Sequence, residues 1–275
     1  MPSTEIDTTP VRRGPRRVQA VDHAVDVLEA MAHAGGALGV SDVARRTGLS
    51  KATVHHLLGT LEARRLVMKD PQTAAYRLGW SLYELGSVVA RSADVSRAAR
   101  PFLDSLAVQT SESVLLGILD GDSVLYLDRG DSPNGFHMVA TAGRRSPLHA
   151  TASGKLLLAF AGEDAIEQYL GHELESFTPD TVTDAAVLRD QLAAIREDGY
   201  ATCWQERELG LCSVAVGLRN HTGGMAASLT LVAPAGRLTP ESVEAHLQPL
   251  RAAAQEIETH LGVNHAAGAD AGEDH

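Results

Sequence analysis

Residues 41–64, SDVARRTGLSKATVHHLLGTLEAR, constrain the fold of this chain more than any other stretch. Ser41 stands where a polar cap would open a short helix, and Gly48 where that helix would stop. Ser50 then caps a second helix led by Lys51, Ala52 and Thr53. Two short helices joined by a glycine-containing turn form a helix-turn-helix, whose second helix enters a DNA major groove. Upstream, Val21, Ala24, Leu28 and Met31 share one face of a preceding helix that Gly35-Gly36 ends. Downstream, Leu66-Val67-Met68 and Tyr76-Arg77-Leu78 flank the turn Asp70-Pro71-Gln72-Thr73, the pattern of a β-hairpin wing. Residues 18–79 therefore read as a winged helix-turn-helix.

On the second helix, Val54, Leu57, Leu58 and Leu61 form an inward face, leaving Ala52, Thr53, His55, His56, Gly59 and Thr60 outside. Short side chains and imidazoles allow close approach to base edges. Lys51 reaches a phosphate or a guanine edge, Ala52 and Thr53 carry methyls suited to thymine, and the histidines donate to a base or phosphate. Ser41, Ser50, Thr60 and the wing residues Lys69 and Arg77 complete the predicted DNA surface. Adjacent histidines point about 100° apart on a helix, so His55 and His56 cannot share a metal; the alternative for them is a solvated polar face. Residues 1–17 lack apolar periodicity and read as a disordered tail. Within it Arg12, Arg13, Arg16 and Arg17 form either a basic arm for a minor groove or a merely solubilising segment.

Net charge, −11 overall, argues against nucleic-acid binding until the chain is divided. Residues 1–100 carry 14 basic against 10 acidic side chains, a net +4; residues 101–275 carry 10 against 25, a net −15. The basic end meets the polyanion, and the acidic remainder opposes non-specific sticking. Cys203 and Cys212 are too few for a disulfide scaffold or a four-ligand zinc site. No apolar run approaches the ~20 residues of a membrane span, and MPSTEIDTTP is no signal peptide. The expectation is a soluble cytoplasmic protein without a membrane, metal or cofactor.

After the wing, Leu82, Leu85, Val88 and Val89 mark a linker helix over 80–100, with Pro101 just past its end. Its apolar stripe packs on something, a second subunit being one option. Strands are expected at Val114–Leu119, Ser123–Leu127, Met138–Thr141, Ser213–Leu218 and Ala226–Val232, with hairpin turns at Asp120-Gly121-Asp122 and at 220–224. Helices are expected at 152–161, Ala185–Glu197 and 240–261, and 263–275 reads as a loose acidic tail. Residues 101–262 thus form an α+β domain on an antiparallel sheet.

The ordered stretches AVDVLEAMA (24–32), SDVARRTGLSKATVHHLLGTLE (41–62), YRLG (76–79), SVLYLDRGDSP (123–133), GRRSPLHATASGKLLLAF (143–160), TPDTVTD (178–184), LAAIREDGYA (192–201) and PAGRLTPE (234–241) resemble the IclR family of bacterial transcription regulators. The resemblance spans roughly residues 18–262. It implies a winged helix-turn-helix that dimerises, often as a dimer of dimers, on a palindromic operator. It also implies a C-terminal GAF-like domain that binds a small-molecule effector. Members often carry Arg where this chain has His56, so their operators do not transfer.

In the family, short carboxylates are held by amides and polar side chains from four segments. Carried onto this sequence, HATASGK (149–155) places the amides of Ala152 and Ser153 at the site. A usual acid becomes Cys203, a usual cysteine becomes Ser213, and a Ser-x-Ser pair becomes Thr230-Leu231-Val232. Met138, Ser146 and Leu211 line the same site, with Trp80 and Trp204 nearer its edge. Losing an acid and a hydroxyl predicts a more apolar pocket and a larger ligand, an aromatic or otherwise apolar metabolite that keeps one carboxylate on the Ala152 and Ser153 amides.

Two other readings of the acidic domain stay open. Cys203 and Cys212 suit a redox sensor. Ser153-Gly154-Lys155 with His149 suggests an enzyme only weakly: no glycine stands five residues before Gly154, Leu156 replaces the P-loop hydroxyl, and neither G-x-S-x-G nor HExxH occurs.

Overall fold

The computed structural model describes residues 18–92, 94–134 and 143–263. The chain falls into two compact units divided after Ala90. In the first, α1 (Gln19–Ala34), α2 (Val40–Thr47) and α3 (Lys51–Ala63) precede a hairpin of β1 (Val67–Lys69) and β2 (Tyr76–Leu78). Val27, Met31, Val43, Val54, Leu58, Leu61, Val67 and Tyr76 make its core, so the expected inward face of α3 is the buried one. On α1 the expected face is only partly so: Met31 is buried, Ala24 and Leu28 are half-buried, Val21 is exposed, and Val27 takes the central place. Val67 pairs with Leu78 and Lys69 with Tyr76, giving the wing. Asp70 Oδ1 accepts from the amides of Gln72 (2.8 Å) and Thr73 (3.2 Å), which closes the wing turn and holds that carboxyl below its ordinary range.

One predicted cap is displaced. Helix α2 starts at Val40 with Gly39 as its extended N-cap, so Ser41 lies inside the first turn and caps nothing. The reason is tertiary: Leu38 and Tyr76 exchange backbone hydrogen bonds, both 2.8 Å, and the helix begins as soon as this bridge releases the chain. Gly48, in the left-handed region at φ 72°, ends α2 as expected.

The expected single linker helix is two helices, α4 (Trp80–Ser92) and α5 (Asp94–Thr110), and Pro101 lies inside α5 instead of past an end. An interior proline forfeits a helix hydrogen bond and crowds the preceding turn. Burial of Ala99, Leu103, Leu106 and Ala107 along α5 outweighs that cost. Of the predicted stripe, Leu85 is exposed, and the side chains of Val88 and Val89 lie outside the described residues.

The second unit is built on a six-stranded antiparallel sheet in the order β5-β4-β3-β8-β7-β6. Its strands are β3 (Ser113–Asp120), β4 (Ser123–Gly130), β5 (Arg145–Pro147), β6 (Tyr200–Trp204), β7 (Leu211–Arg219) and β8 (Met225–Pro234). Helices α5 and α9 (Val243–His260) cover one face, where Leu103, Leu116, Val214, Leu229, Leu231 and Leu250 pack. On the other face lie α6 (Ala152–Ala159), α7 (Glu163–Leu170) and α8 (Ala185–Asp198), over Leu115, Tyr126, Cys203, Ala215 and Val232. Side chains alternate across a strand, so each strand feeds both cores. Helix α6 is buried along all eight residues. It sits so close that a Cβ on Gly154 would lie 2.4 Å from the Leu148 backbone. The expected strand at Met138–Thr141 lies outside the described residues; β5, β6 and α7 were not anticipated.

Candidate functional site

Helix α3 presents the predicted DNA face. Lys51, Ala52, His55, His56 and Thr60 are exposed, and Thr53 is partly so. Ser50 caps α3, its Oγ accepting the Thr53 amide at 3.1 Å and lying 2.8 Å from Thr53 Oγ1. The Thr53 hydroxyl therefore belongs to the cap. Thr60 Oγ1 donates back to His56 O at 3.1 Å, so neither threonine offers an uncommitted hydroxyl. Lys69 and Arg77 are exposed on the wing, Lys69 Nζ lying 5.6 Å from the Tyr76 ring centroid. Exposed Ser41 stands on α2. Arg12, Arg13, Arg16 and Arg17 lie outside the described residues.

In the second unit, cross-strand register gathers residues far apart in sequence. Cys203 pairs with Ser213, and Ser213 with Val232; one row further in, Ala215 pairs with Thr230. All of these face α6. Ser153 Oγ, on α6, lies 2.8 Å from Thr230 Oγ1, and the Tyr126 hydroxyl donates to Ser153 Oγ at 3.4 Å. Ser146, on β5, pairs with Val124 in the register of β4. Burial raises the Tyr126 hydroxyl above its ordinary range, so it stays protonated and able to donate. Leu211 shares this face at the start of β7. Thr151 caps α6 by accepting the Gly154 amide at 3.0 Å. The amides of Ala152 and Ser153, by contrast, have no acceptor among the described residues. They are the free donors that a helix start offers an anion.

Other predicted members do not join the cluster. Trp204 alternates with Cys203 along β6 and packs in the opposite core. Trp80 is 70% exposed on α4, its ring edge-on to Tyr83. Met138 lies outside the described residues. A cavity of about 450 Å³ between α7 and the β3–β4 turn touches Leu148 and Tyr169 but none of the predicted effector residues.

The sequence reading missed three buried polar groups in this unit: Tyr126, bonded to Ser153, and the pair Lys155 and Glu206. Lys155, inside α6, is only 2% exposed, and its Nζ donates to Glu206 Oε1 at 2.6 Å in a buried ion pair. A lone lysine in an otherwise apolar helix was the available signal; its partner, in the loop after β6, had none.

The cysteines face opposite cores, since Cys203 opposes Ser213 while its neighbour in the register, Trp204, opposes Cys212. An intrachain disulfide would require the sheet to come apart. Cys203 donates to Ala150 O at 3.3 Å, and burial pushes its thiol up to about 12. Such a thiol stays protonated at neutral pH and is a poor redox nucleophile. His149 is likewise engaged on both ring nitrogens, Nδ1 at 2.8 Å from the Tyr169 hydroxyl and Nε2 at 2.9 Å from Glu175 O, and serves structure.

A winged helix-turn-helix with an exposed second helix, carried with a separate α+β domain that encloses a polar cluster, defines a DNA-binding transcriptional regulator. The IclR helix-turn-helix domain matches residues 20–71, and the family described as bacterial transcriptional regulator IclR C-terminal matches residues 87–259. The chain belongs to the IclR family. It is 33% identical over 246 residues to the regulator XynR of Escherichia coli, covering 89% of this chain and 98% of XynR. It is 35% identical over 241 residues to BhcR of Paracoccus denitrificans, covering 87% and 86%. An IclR homologue from Microbacterium hydrocarbonoxydans, crystallised with 4-hydroxybenzoate, superposes with a TM-score of 0.78 at 30% identity, covering 88% of this chain and 99% of that one. Thermotoga maritima IclR gives 0.72 at 31% identity, covering 89% and 99%. No helix among the described residues is long and apolar enough to cross a membrane.

Proposed function

We propose that this protein acts in the cytoplasm on operator DNA, with an affinity set by an organic acid bound between α6 and the sheet. One observation carries the effector reading. Ser153, Cys203, Ser213, Thr230 and Val232 meet on one sheet face beneath the acceptor-free amides of Ala152 and Ser153. The amides take a carboxylate, and the surrounding Leu115, Cys203, Ala215 and Val232 take an apolar or aromatic body. The 4-hydroxybenzoate bound to the Microbacterium homologue is of this class.

On the DNA side, Lys51, Ala52, Thr53, His55 and His56 read the major groove, while Lys69 and Arg77 meet the backbone beside it. The active species is a homodimer or a dimer of dimers. Val18, the N-cap of α1, lines up with Val21 and Val25 in an exposed apolar row, and Trp80 and Tyr83 leave a second on α4. Exposed apolar rows of this kind mark association surfaces.

Thermal unfolding with two ligand sets, short polar acids and aromatic acids, tests the reading. A rise in Tm with aromatic acids, accompanied by changed operator affinity, is the expected result. Stabilisation by pyruvate-like acids alone overturns the ligand class. Stabilisation without any change in operator affinity overturns the regulatory role.

A further inference from the structure

We infer that Glu206 reads a hydroxyl group on the effector: its carboxylate oxygen Oε2 accepts a hydrogen bond from a hydroxy acid whose carboxylate end lies on the α6 amides. The inference rests on the effector-site reading above and narrows it from organic acids to hydroxylated ones.

Glu206 is 4% exposed. Oε1 is occupied by Lys155 at 2.6 Å, whereas Oε2 has no hydrogen-bond partner among the described residues. Leaving a buried carboxylate oxygen unmatched is costly, and native proteins rarely do so without a use for it. The loop cannot relieve this by swinging outward. Gln205, in the left-handed region at φ 58°, turns the chain, and its side chain holds the Gly210 amide at 2.8 Å. Thr178 donates to Gln205 O at 2.9 Å, and Thr181 donates to Glu206 O at 2.6 Å. The backbone is fixed from both sides, so the carboxylate is held inward.

Inward is toward the cluster. Cys203 donates to Ala150 O at 3.3 Å, just ahead of α6, and Glu206, three residues later, meets Lys155 in the first turn of that helix, so the loop after β6 runs beside the α6 start. At the same helix start, Ser153 joins Tyr126 to Thr230. Cys203 stands where relatives are expected to carry an acid, and Glu206 supplies a carboxylate three residues further on.

The chemistry selects the ligand. As the carboxylate partner of Lys155, Glu206 offers acceptors only. It repels a ligand carboxylate and gains nothing from a methyl group. A ligand ammonium is disfavoured by Lys155 beside it. A neutral hydroxyl remains, donating to a charged acceptor in a dry site.

The test is calorimetric titration of the full-length protein with benzoate and its 2-, 3- and 4-hydroxy derivatives, and with propionate and lactate. At least one hydroxy acid is expected to bind on the order of 10–100-fold more tightly than its parent. In Glu206→Gln that ratio falls toward one. The double variant Lys155→Met/Glu206→Met, which removes both charges together, guards against a misfolded single variant and is expected to lose the preference too. Parents and hydroxy acids binding alike would overturn the role of Glu206 while leaving the acid site standing. A preference that survives in both variants would place the hydroxyl elsewhere and also overturn it. If no acid binds at all, the effector-site reading fails and this inference fails with it.

Discussion

Lys155 and Glu206 show how much a single pair of residues sets the terms of the second unit. Two charges have been taken from water into a core, and only their mutual contact, 2.6 Å, offsets the cost. Removing one partner leaves the other stranded, so Lys155→Met is expected to destabilise this unit by about 3–5 kcal/mol. Lys155→Met/Glu206→Met should recover most of that loss, because paired apolar replacements of a buried ion pair are often neutral. Urea unfolding followed by Trp204 fluorescence in a Trp80→Phe background measures both. A double variant no more stable than the single one would mean that the pair is not energetically coupled. The pair also explains what was illegible at this scale. Ser153, Cys203, Ser213, Thr230 and Val232 were found because family segments point to them. Glu206 lies 51 residues from Lys155, in a loop whose position depends on Thr178 and Thr181, and nothing local marks it.

At the scale of elements, legibility followed length and periodicity. Helix α8 and strands β3, β7 and β8 are long, regularly patterned and close to their expected bounds. Three-residue β5 and eight-residue α7 carry too few apolar repeats to stand out. Pro101 misled because local rules for proline yield to burial against the sheet. The same contact makes a prediction. Gly130 lets α5 approach β4 so closely that an added Cβ would lie 2.3 Å from Leu103 O, a backbone atom with little room to move. Gly130→Ala should therefore cost about 1–3 kcal/mol, read as a lowered denaturation midpoint. In α3 the expectation concerns recognition. Lys51→Ala should weaken operator binding and flatten its salt dependence by about one counterion. His56→Ala should relax sequence preference by about 1–3 kcal/mol at one base position. Selection from a randomised DNA pool separates the two effects. An unchanged preferred sequence in the His56 variant would show that His56 does not read a base.

For the whole molecule, the division of charge and the division of labour coincide. The basic unit carries the helix-turn-helix, and the acidic unit encloses the polar cluster. Regulation then requires that two sites on different units share a conformational equilibrium. Thermodynamics constrains how they can do so: if effector changes operator affinity by some factor, operator must change effector affinity by the same factor. The expected coupling is ~1–3 kcal/mol, or about 5–150-fold. Operator affinity would be measured by fluorescence anisotropy with the cluster empty and saturated, and effector affinity by calorimetry with and without operator DNA. Equal factors from the two routes would show that one equilibrium links the Ala152 and Ser153 amides to α3. A factor of one from both routes, with tight effector binding, would sink the proposed regulation, because an effector with equal affinity for both states shifts nothing however well it binds.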